Sequence, residues 1–166
     1  MGFRVRQAVA GDAAAIEDML LEAARWVDAL GVVMWEEGEL DSQRIAGEVA
    51  AGQFFVAEVG GELAGAVRFQ LEDRLFWPDL DDAHSAFVHR LVVRRTFKGR
   101  GVSTALLDWA ASHARVLGKR FLRLDCDADR PKVRAVYERY GFQLHDYRQV
   151  GAYYVARYVL PIDAES

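Results

Sequence analysis

A glycine-rich turn with a surplus of positive charge is the stretch of this sequence whose chemistry is easiest to identify. Gly99 and Gly101 lie in the segment KGRGVS, residues 98–103. Glycine permits the positive φ angles that let successive backbone N–H groups point into one concavity, and a helix that follows adds its own unpaired N–H groups. Residues 83–107 include five basic side chains and no acidic one, although the whole chain has a net charge of −4. Such a turn suits an anion, most commonly a phosphate.

Two familiar phosphate-binding motifs do not fit the turn. A Walker A loop requires Gly-x-x-x-x-Gly-Lys-Ser/Thr, and the order of residues here differs. A dinucleotide fingerprint requires a third glycine where this chain has Thr104, and it opens a βαβ unit near the start of a domain. Here half a chain of other material precedes the turn. The turn is therefore predicted to be neither a Walker A loop nor a dinucleotide-binding loop.

Two segments of the sequence match the motifs of one family. Residues 98–103 follow an apolar strand, and residues 130–142 read RPKVRAVYERYGF. They resemble the pyrophosphate loop Arg/Gln-x-x-Gly-x-Gly/Ala and the helix Asn-x-x-Ala-x-x-Leu-Tyr-Glu-x-x-Gly-Phe of the GNAT superfamily, the acyl-CoA-dependent N-acyltransferases. Lys98, Ser103 and Arg130 depart from the family pattern. The resemblance extends over nearly the whole chain.

The resemblance implies acetyl-CoA as co-substrate and no metal. In this family the pyrophosphate lies on the glycine-rich loop, and the pantetheine arm lies between the fourth and fifth strands, which splay apart. A backbone N–H of the central strand, where the family has a bulge, holds the oxyanion. The residues that the resemblance assigns to the coenzyme are Leu91, Val92, Val93, Lys98, Gly99, Arg100, Gly101, Val102, Ser103 and Arg130. A solvated basic turn is the alternative explanation of the charges.

The resemblance also implies direct transfer of an acetyl group from a thioester to a neutral primary amine. Tyr137 aligns with a family tyrosine whose phenol protonates the leaving thiolate; packing of its ring in the core is the alternative, and both can hold. His89 lies on the central strand, where many relatives have a glutamate that removes the proton of the amine through water. Histidine titrates near neutrality, but a buried structural histidine is an equal alternative. Asp125 is a weaker candidate base.

The amine acceptor is predicted from two loops that surround the amine site in this family. Both are acidic and aromatic here, and they contribute Trp35, Glu36 and Trp77 as predicted substrate contacts. Aromatic rings and carboxylates suit a cation, so we expect a small-molecule or peptide amine, whereas solvated acidic loops are the alternative. Because of the three departures from the motifs, a non-catalytic acyl-CoA-binding sensor or interaction module is the alternative to an enzyme.

Composition describes an ordinary globular protein of one domain over residues 1–166. Hydrophobic residues make up 52% and charged residues 28% of the chain. The N-terminus lacks an apolar signal region and the acidic balance argues against nucleic acid, so we expect no membrane and no nucleic-acid partner. The one cysteine, Cys126, fits a reducing cytoplasm and favours a small buried residue over a nucleophile. We expect a monomer or a homodimer.

Periodicity predicts the order β-α-α-β-β-β-α-β-α-β-β, which matches the GNAT topology. The predicted fold is α/β (α+β), with a mixed, mostly antiparallel sheet splayed between strands 4 and 5 and about four flanking helices. The predicted strands are 3–9, 54–59, 62–70, 87–93, 121–126, 142–147 and 153–160. The predicted helices are 12–30, 41–51, 102–117 and 131–140. The third helix is expected to point Val102, Leu106, Trp109, Ala110, Val116 and Leu117 inward.

Overall fold

The structure, a computed structural model, describes residues 2–29, with the backbone alone over 26–29, and residues 41–163. The predicted order of elements and the GNAT-like α/β fold class are confirmed. The strands are β1 Arg4–Gln7, β2 Phe54–Val59, β3 Glu62–Gln70, β4 Ser85–Val93, β5 Phe121–Asp127, β6 Gln143–Val150 and β7 Tyr153–Pro161. The helices are α1 Ala13–Ala29, α2 Ser42–Ala50, α3 Val102–Val116 and α4 Pro131–Tyr140.

The seven strands form one sheet in the order β1-β2-β3-β4-β5-β7-β6. The β1–β2, β2–β3, β5–β7 and β6–β7 pairs are antiparallel, and the β4–β5 pair is parallel. The β4–β5 register covers only Ser85–Phe87 on β4 and Phe121–Arg123 on β5. Pairing therefore ends two residues before His89, as expected for two strands that splay apart.

Local sequence determines where several elements begin and turn. Asp41 caps α2, because its side chain accepts a hydrogen bond from the backbone N–H of Gln43 at 3.1 Å. Pro131 starts α4 at a position where a missing N–H has no cost. Gly60 and Gly61 have φ angles of 57° and 82°, which suits the two-residue turn between β2 and β3.

The chain forms two compact units, which we describe separately. The first contains the described residues up to Arg68 together with Arg90–Trp109. Its core packs α1 and α2 on the sheet, and the apolar stripe of α1 supplies Ile16, Met19 and Leu20 at helical spacing. The other buried members of this cluster are Ala8, Ile45, Val49, Phe54, Val56, Ala66 and Val92.

The second unit contains Phe69–His89 and the described residues from Ala110 onward. Arg157 on β7 lies at the centre of a hydrogen-bond network in this unit, and only 1% of its side chain is exposed. The guanidinium donates two hydrogen bonds to Asp79, two to Asp146 and one to the carbonyl oxygen of Phe76. It also lies 4.5 Å from the centre of the Trp77 ring. The loop between β3 and β4 is thereby fastened to β6 and β7.

Among the described residues, the helices are too short or too polar for any of them to span a lipid bilayer.

Candidate active site

The glycine-rich loop joins a short 3₁₀ helix, Arg95–Phe97, to the start of α3. Gly99 and Gly101 have φ angles of 79° and 83°, which confirms that the turn uses a conformation that favours glycine. The first backbone hydrogen bond of α3 runs from Ala105 N–H to the Gly101 carbonyl at 3.0 Å. Within the part of the chain that the structure describes, the N–H groups of residues 102–104 have no acceptor. The loop therefore presents unpaired donors at a helix N-terminus.

Part of the positive charge near the loop is neutralised, and part is not. Arg94 pairs with Asp18 at 3.0 Å and with Glu22 at 3.5 Å, both on α1. Lys98 and Arg100 are exposed, and neither pairs with a carboxylate of the described residues. These two cations are consequently available to an anion on the loop.

The central strand contains a conformational exception. Arg90 has a φ angle of 53°, the only positive φ of a non-glycine residue in the described ranges. This interrupts the extended backbone immediately before Leu91–Val93, the stretch predicted to supply the oxyanion donor, and such a conformation has a cost of about 1–3 kcal/mol. Arg90 Nε lies 3.8 Å from Glu48 Oε1, and Arg68 contacts the other oxygen of Glu48 at 3.2 Å. A buried ion cluster thus accompanies the strained residue.

In the second unit, His89 lies between two carboxylates. Its Nε2 is 2.8 Å from Asp73 Oδ2, and its Nδ1 is 3.8 Å from Asp125 Oδ2. The exposed fractions of the three side chains are 15% for His89, 6% for Asp73 and 8% for Asp125. The ring of Phe76 lies 6.2 Å from the imidazole. The predicted base is therefore part of a nearly buried Asp–His–Asp cluster.

The two carboxylates titrate differently because their surroundings differ. Burial raises the pKa of Asp125 to about 6, with the charge of His89 opposing this rise and the charge of Asp73 adding to it. Burial also acts to raise the pKa of Asp73, but the interaction with His89 and hydrogen bonds from the N–H groups of Phe76 and Leu75 outweigh it and lower that pKa. Asp73 is thus an anion at neutral pH, whereas Asp125 gains a proton in mildly acidic solution.

The three side chains offer ligand atoms within 4.8 Å of one another, as a metal site also would. However, the two carboxylates contact different nitrogens of one imidazole ring. A single ion can be bound by only one of those nitrogens, since their lone pairs diverge. The geometry suits a proton-bearing cluster better than a metal centre.

Tyr137 lies on α4, with its ring centre 5.9 Å from that of Phe142 and 6.5 Å from that of Tyr158. Burial raises the pKa of its phenol well above the ordinary value, so the hydroxyl keeps its proton at neutral pH. Within the described residues this hydroxyl has no hydrogen-bond partner. The ring packs in the core, and the hydroxyl is available as a donor.

Arg130 and Cys126 lie near the start of α4. Arg130 is the residue before the helix and is only 9% exposed, and its buried Nε has no hydrogen-bond partner among the described residues. Burial raises the pKa of the Cys126 thiol to about 12, and the charge of Asp125 adds to this rise. A thiol so reluctant to ionise is a poor nucleophile.

The predicted substrate contacts have different positions. Trp77 is 2% exposed, and the guanidinium groups of Arg123 and Arg157 lie 5.1 Å and 4.5 Å from its ring centre. A ring covered in this way is structural, so Trp77 is not retained as a substrate contact. Trp35 and Glu36 lie outside the described residues.

Asp73 was not predicted to be a functional residue. It is one of several acidic residues in the loop between β3 and β4, and no motif distinguishes it from Glu72 or Asp79. Only the folded position of the loop brings its carboxylate to His89. The alternation of β4, which placed His89 among apolar residues, gave no indication that it has two acidic neighbours.

Comparison with known proteins gives a consistent result. Residues 14–142 match the model of the "Acetyltransferase (GNAT) family". The chain is 33% identical over 149 residues to the uncharacterized N-acetyltransferase YesJ of Bacillus subtilis, which covers 86% of this chain and 82% of that protein. A GNAT-family acetyltransferase from Listeria monocytogenes has a similar structure, with a TM-score of 0.81, 27% identity and coverage of 96% and 95%. The putative acetyltransferase yncA of Salmonella typhimurium, solved with acetyl-CoA, superimposes with a TM-score of 0.74 at 18% identity, over 100% of this chain and 97% of its own.

Proposed function

This chain belongs to the GNAT acetyltransferase family, and on that premise we propose that it transfers an acetyl group from acetyl-CoA to a primary amine. The observation that carries the proposal is the loop at residues 98–103, where the unpaired N–H groups of α3 lie beside two cations that have no ion pair among the described residues. A pyrophosphate supplies the acceptors and the negative charge that such a loop lacks. The Salmonella relative of similar fold contains acetyl-CoA.

The coenzyme contacts that we propose are supported by the local geometry of each element. The backbone of residues 98–103 donates to the pyrophosphate, and the side chains of Lys98 and Arg100 add charge. Leu91–Val93 supply backbone groups to the acyl end, next to the strained Arg90. The Nε–H group of Arg130, which has no partner among the described residues, donates a hydrogen bond to a carbonyl or phosphate oxygen of the coenzyme.

The chemical step is a direct attack. The lone pair of a neutral amine forms a C–N bond with the thioester carbonyl carbon, the C–S bond breaks, and the thiolate takes the proton of the Tyr137 hydroxyl. The raised pKa of Tyr137 supports this role, because the acid must be protonated when the thiolate forms. Cys126 does not form an acyl-enzyme in this scheme, since its thiol is not ionised at neutral pH.

His89 takes the proton that the ammonium form of the acceptor must lose. An ammonium nitrogen has no lone pair, so the reaction begins only after this transfer. The two carboxylates beside His89 stabilise the imidazolium that results. The acceptor is a small-molecule or peptide amine, and the acidic surroundings favour one that arrives as a cation.

The first test is calorimetric titration with acetyl-CoA, with desulfo-CoA and adenosine 3′,5′-bisphosphate as comparison ligands. The double variant Lys98→Ala/Arg100→Ala removes the charges of these two side chains. We expect it to weaken binding of acetyl-CoA at least tenfold, because charge-assisted hydrogen bonds contribute about 1.5–3 kcal/mol each. The control, Arg4→Ala/Arg139→Ala, removes the same charge from exposed positions on β1 and α4 and is expected to leave binding unchanged.

An amine panel scored by release of free thiol then tests the reaction. Micromolar binding of acetyl-CoA followed by amine-dependent thiol release is the expected result. Absence of binding at millimolar acetyl-CoA, or equal weakening by both double variants, contradicts the assignment of the loop.

A further inference from the structure

We propose that Asp73 is a positioning residue for His89, which fixes the imidazole with its proton on Nε2 and thereby presents Nδ1 as the proton-accepting atom. The proposal rests on the proposed function, in which His89 receives the proton of the amine. Asp73 belongs to no motif of the sequence, and it acts through His89 instead of through the substrate.

The first support is the distance between Nε2 and Asp73 Oδ2, which is 2.8 Å. Two lone pairs cannot approach so closely, because the carboxylate is an anion that only accepts hydrogen bonds. Within the described residues no hydrogen bond of standard geometry satisfies this buried oxygen, and an unpaired buried carboxylate oxygen is costly, so the 2.8 Å contact with Nε2 is the one that can satisfy it. On this ground we place the proton of a neutral imidazole on Nε2.

The second support is that Asp73 is itself held in place. Its Oδ1 accepts hydrogen bonds from the N–H groups of Leu75 at 3.1 Å and Phe76 at 3.0 Å. The carbonyl oxygen of Phe76 in turn accepts a hydrogen bond from Arg157 at 3.0 Å. Hydrogen bonds to Oδ1 and the attachment of the loop to Arg157 together fix the orientation of the Asp73 carboxylate. A residue that positions another side chain must itself be fixed in this way.

The third support is the position of Asp125, which faces the opposite nitrogen of His89. Its Oδ2 lies 3.8 Å from Nδ1, which is too far for a direct hydrogen bond but close for two charges. When R–NH₃⁺ gives one proton to Nδ1, the amine gains its lone pair and the imidazolium lies between two carboxylates. Asp73 from the loop and Asp125 from β5 both face His89, and the charge of Arg157 reaches Asp125.

The direct test is the tautomer of His89, measured by long-range ¹H–¹⁵N NMR on protein with labelled histidine and no ligand. The His89 signals are assigned by their loss in His89→Gln. We expect the Nε2–H tautomer in the wild type above pH 8, and a changed tautomer ratio in Asp73→Asn, because the amide offers a donor as well as an acceptor. Glu72→Gln is the matched control, since it removes one negative charge from an exposed neighbouring residue, and within the described ranges the ion pair of that residue is with exposed Arg74.

The kinetic test compares the same variants with an accepted amine. We expect Asp73→Asn to lower kcat about 100-fold, in the range that general bases contribute, with the KM for acetyl-CoA unchanged and the acidic limb of the pH profile displaced. Glu72→Gln should stay within twofold of the wild type.

Three results decide the proposal. An Nδ1–H tautomer in the wild type overturns it, and so does an unchanged tautomer in Asp73→Asn accompanied by wild-type kcat. If the wild type binds no acetyl-CoA, the proposed function fails, while the tautomer measurement still decides the role of Asp73.

Discussion

Gly65 on β3 lies so close to Val92 on β4 that a β-carbon built on it would be 2.6 Å from the Val92 carbonyl oxygen. The same β-carbon would lie 2.9 Å from Val102 Cγ1 and 3.2 Å from Leu106 Cδ1. A backbone oxygen cannot move aside as a side-chain tip can. The absence of a side chain at residue 65 thus lets the central strand and α3 pack at their observed separation.

We expect Gly65→Ala to lower the free energy of unfolding by about 3 kcal/mol, at the upper end of the usual cost of overpacking. Urea denaturation measures this. Gly47→Ala is the control, because residue 47 is in α2 and a β-carbon there meets no atom within 4 Å. It should stabilise the protein by about 0.5–1 kcal/mol, as alanine does in an exposed helix. Equal effects of both substitutions would contradict the argument.

Asp125→Asn should make the protein more stable at neutral pH. Burial raises the pKa of Asp125 to about 6, so the folded state holds this proton more tightly than the unfolded chain does. Stability is therefore lost as the pH rises from about 4 to about 6, and an asparagine removes that loss. We expect the free energy of unfolding at pH 7.5 to rise by at most about 3 kcal/mol, since each pKa unit corresponds to about 1.36 kcal/mol.

The same measurement at low pH provides the control for Asp125→Asn. Below about pH 3 the wild-type carboxyl is protonated in both the folded and the unfolded state, so the two proteins should have equal stability there. The direction of the pKa shift would be contradicted if the stability of the variant relative to the wild type were lower at pH 7.5 than at about pH 3. We expect kcat to fall in this variant, because one of the two carboxylates beside His89 is gone.

Tyr137→Phe should separate chemistry from folding. The hydroxyl has no hydrogen-bond partner in the described residues, and the ring contacts with Phe142 and Tyr158 are kept. We expect the free energy of unfolding to change by less than about 0.5 kcal/mol and kcat to fall about 100-fold. Acetyl-CoA affinity should not change. An unaltered kcat near neutral pH would mean that Tyr137 is not the acid.

Arg157→Lys should destabilise the second unit. A lysine cannot make the paired contacts with Asp79 and Asp146 that the planar guanidinium makes. We expect the free energy of unfolding to fall by about 2–4 kcal/mol, because the cation at this position is buried and loses part of its pairing. Arg148→Lys is the control; this half-exposed residue contacts Asp79 at 3.6 Å and should cost less than about 0.5 kcal/mol. A loss of the same size in both variants would refute the special role of Arg157.

The elements of the fold could be predicted because their signals are local. The turn at Gly60 and the start of α4 at Pro131 depend on one or two residues each. The apolar stripe of α3 was partly wrong: Val116 and Leu117 are 66% and 43% exposed. The buried stripe instead continues through Leu107, Ala111 and Ala114. Leu107 is adjacent to Leu106 and the two alanines are small, so these residues contribute little to the periodic pattern of hydrophobicity.

The site could be predicted only where a motif specifies it. The loop around Gly101 is encoded within six residues, whereas the partners of Arg157 lie up to 81 residues away. Asp73 and Trp77 are close in sequence but differ in their surroundings. The carboxylate of Asp73 contacts His89, whereas the ring of Trp77 is covered by two arginine side chains. The single domain, the cytoplasmic location and the oligomeric state stay predictions.

The unpaired N–H groups at the start of α3 have a consequence for the lifetime of the protein. If the proposed function holds, a pyrophosphate bound there completes the first turn of the helix as a capping side chain would, and the coenzyme then stabilises the folded structure. By mass action, ligand at 100 times its Kd adds about 2.7 kcal/mol to the free energy of unfolding. The resistance of this protein to proteolysis should therefore follow the size of the acyl-CoA pool, so that supply of the donor determines both how fast the enzyme works and how much of it survives.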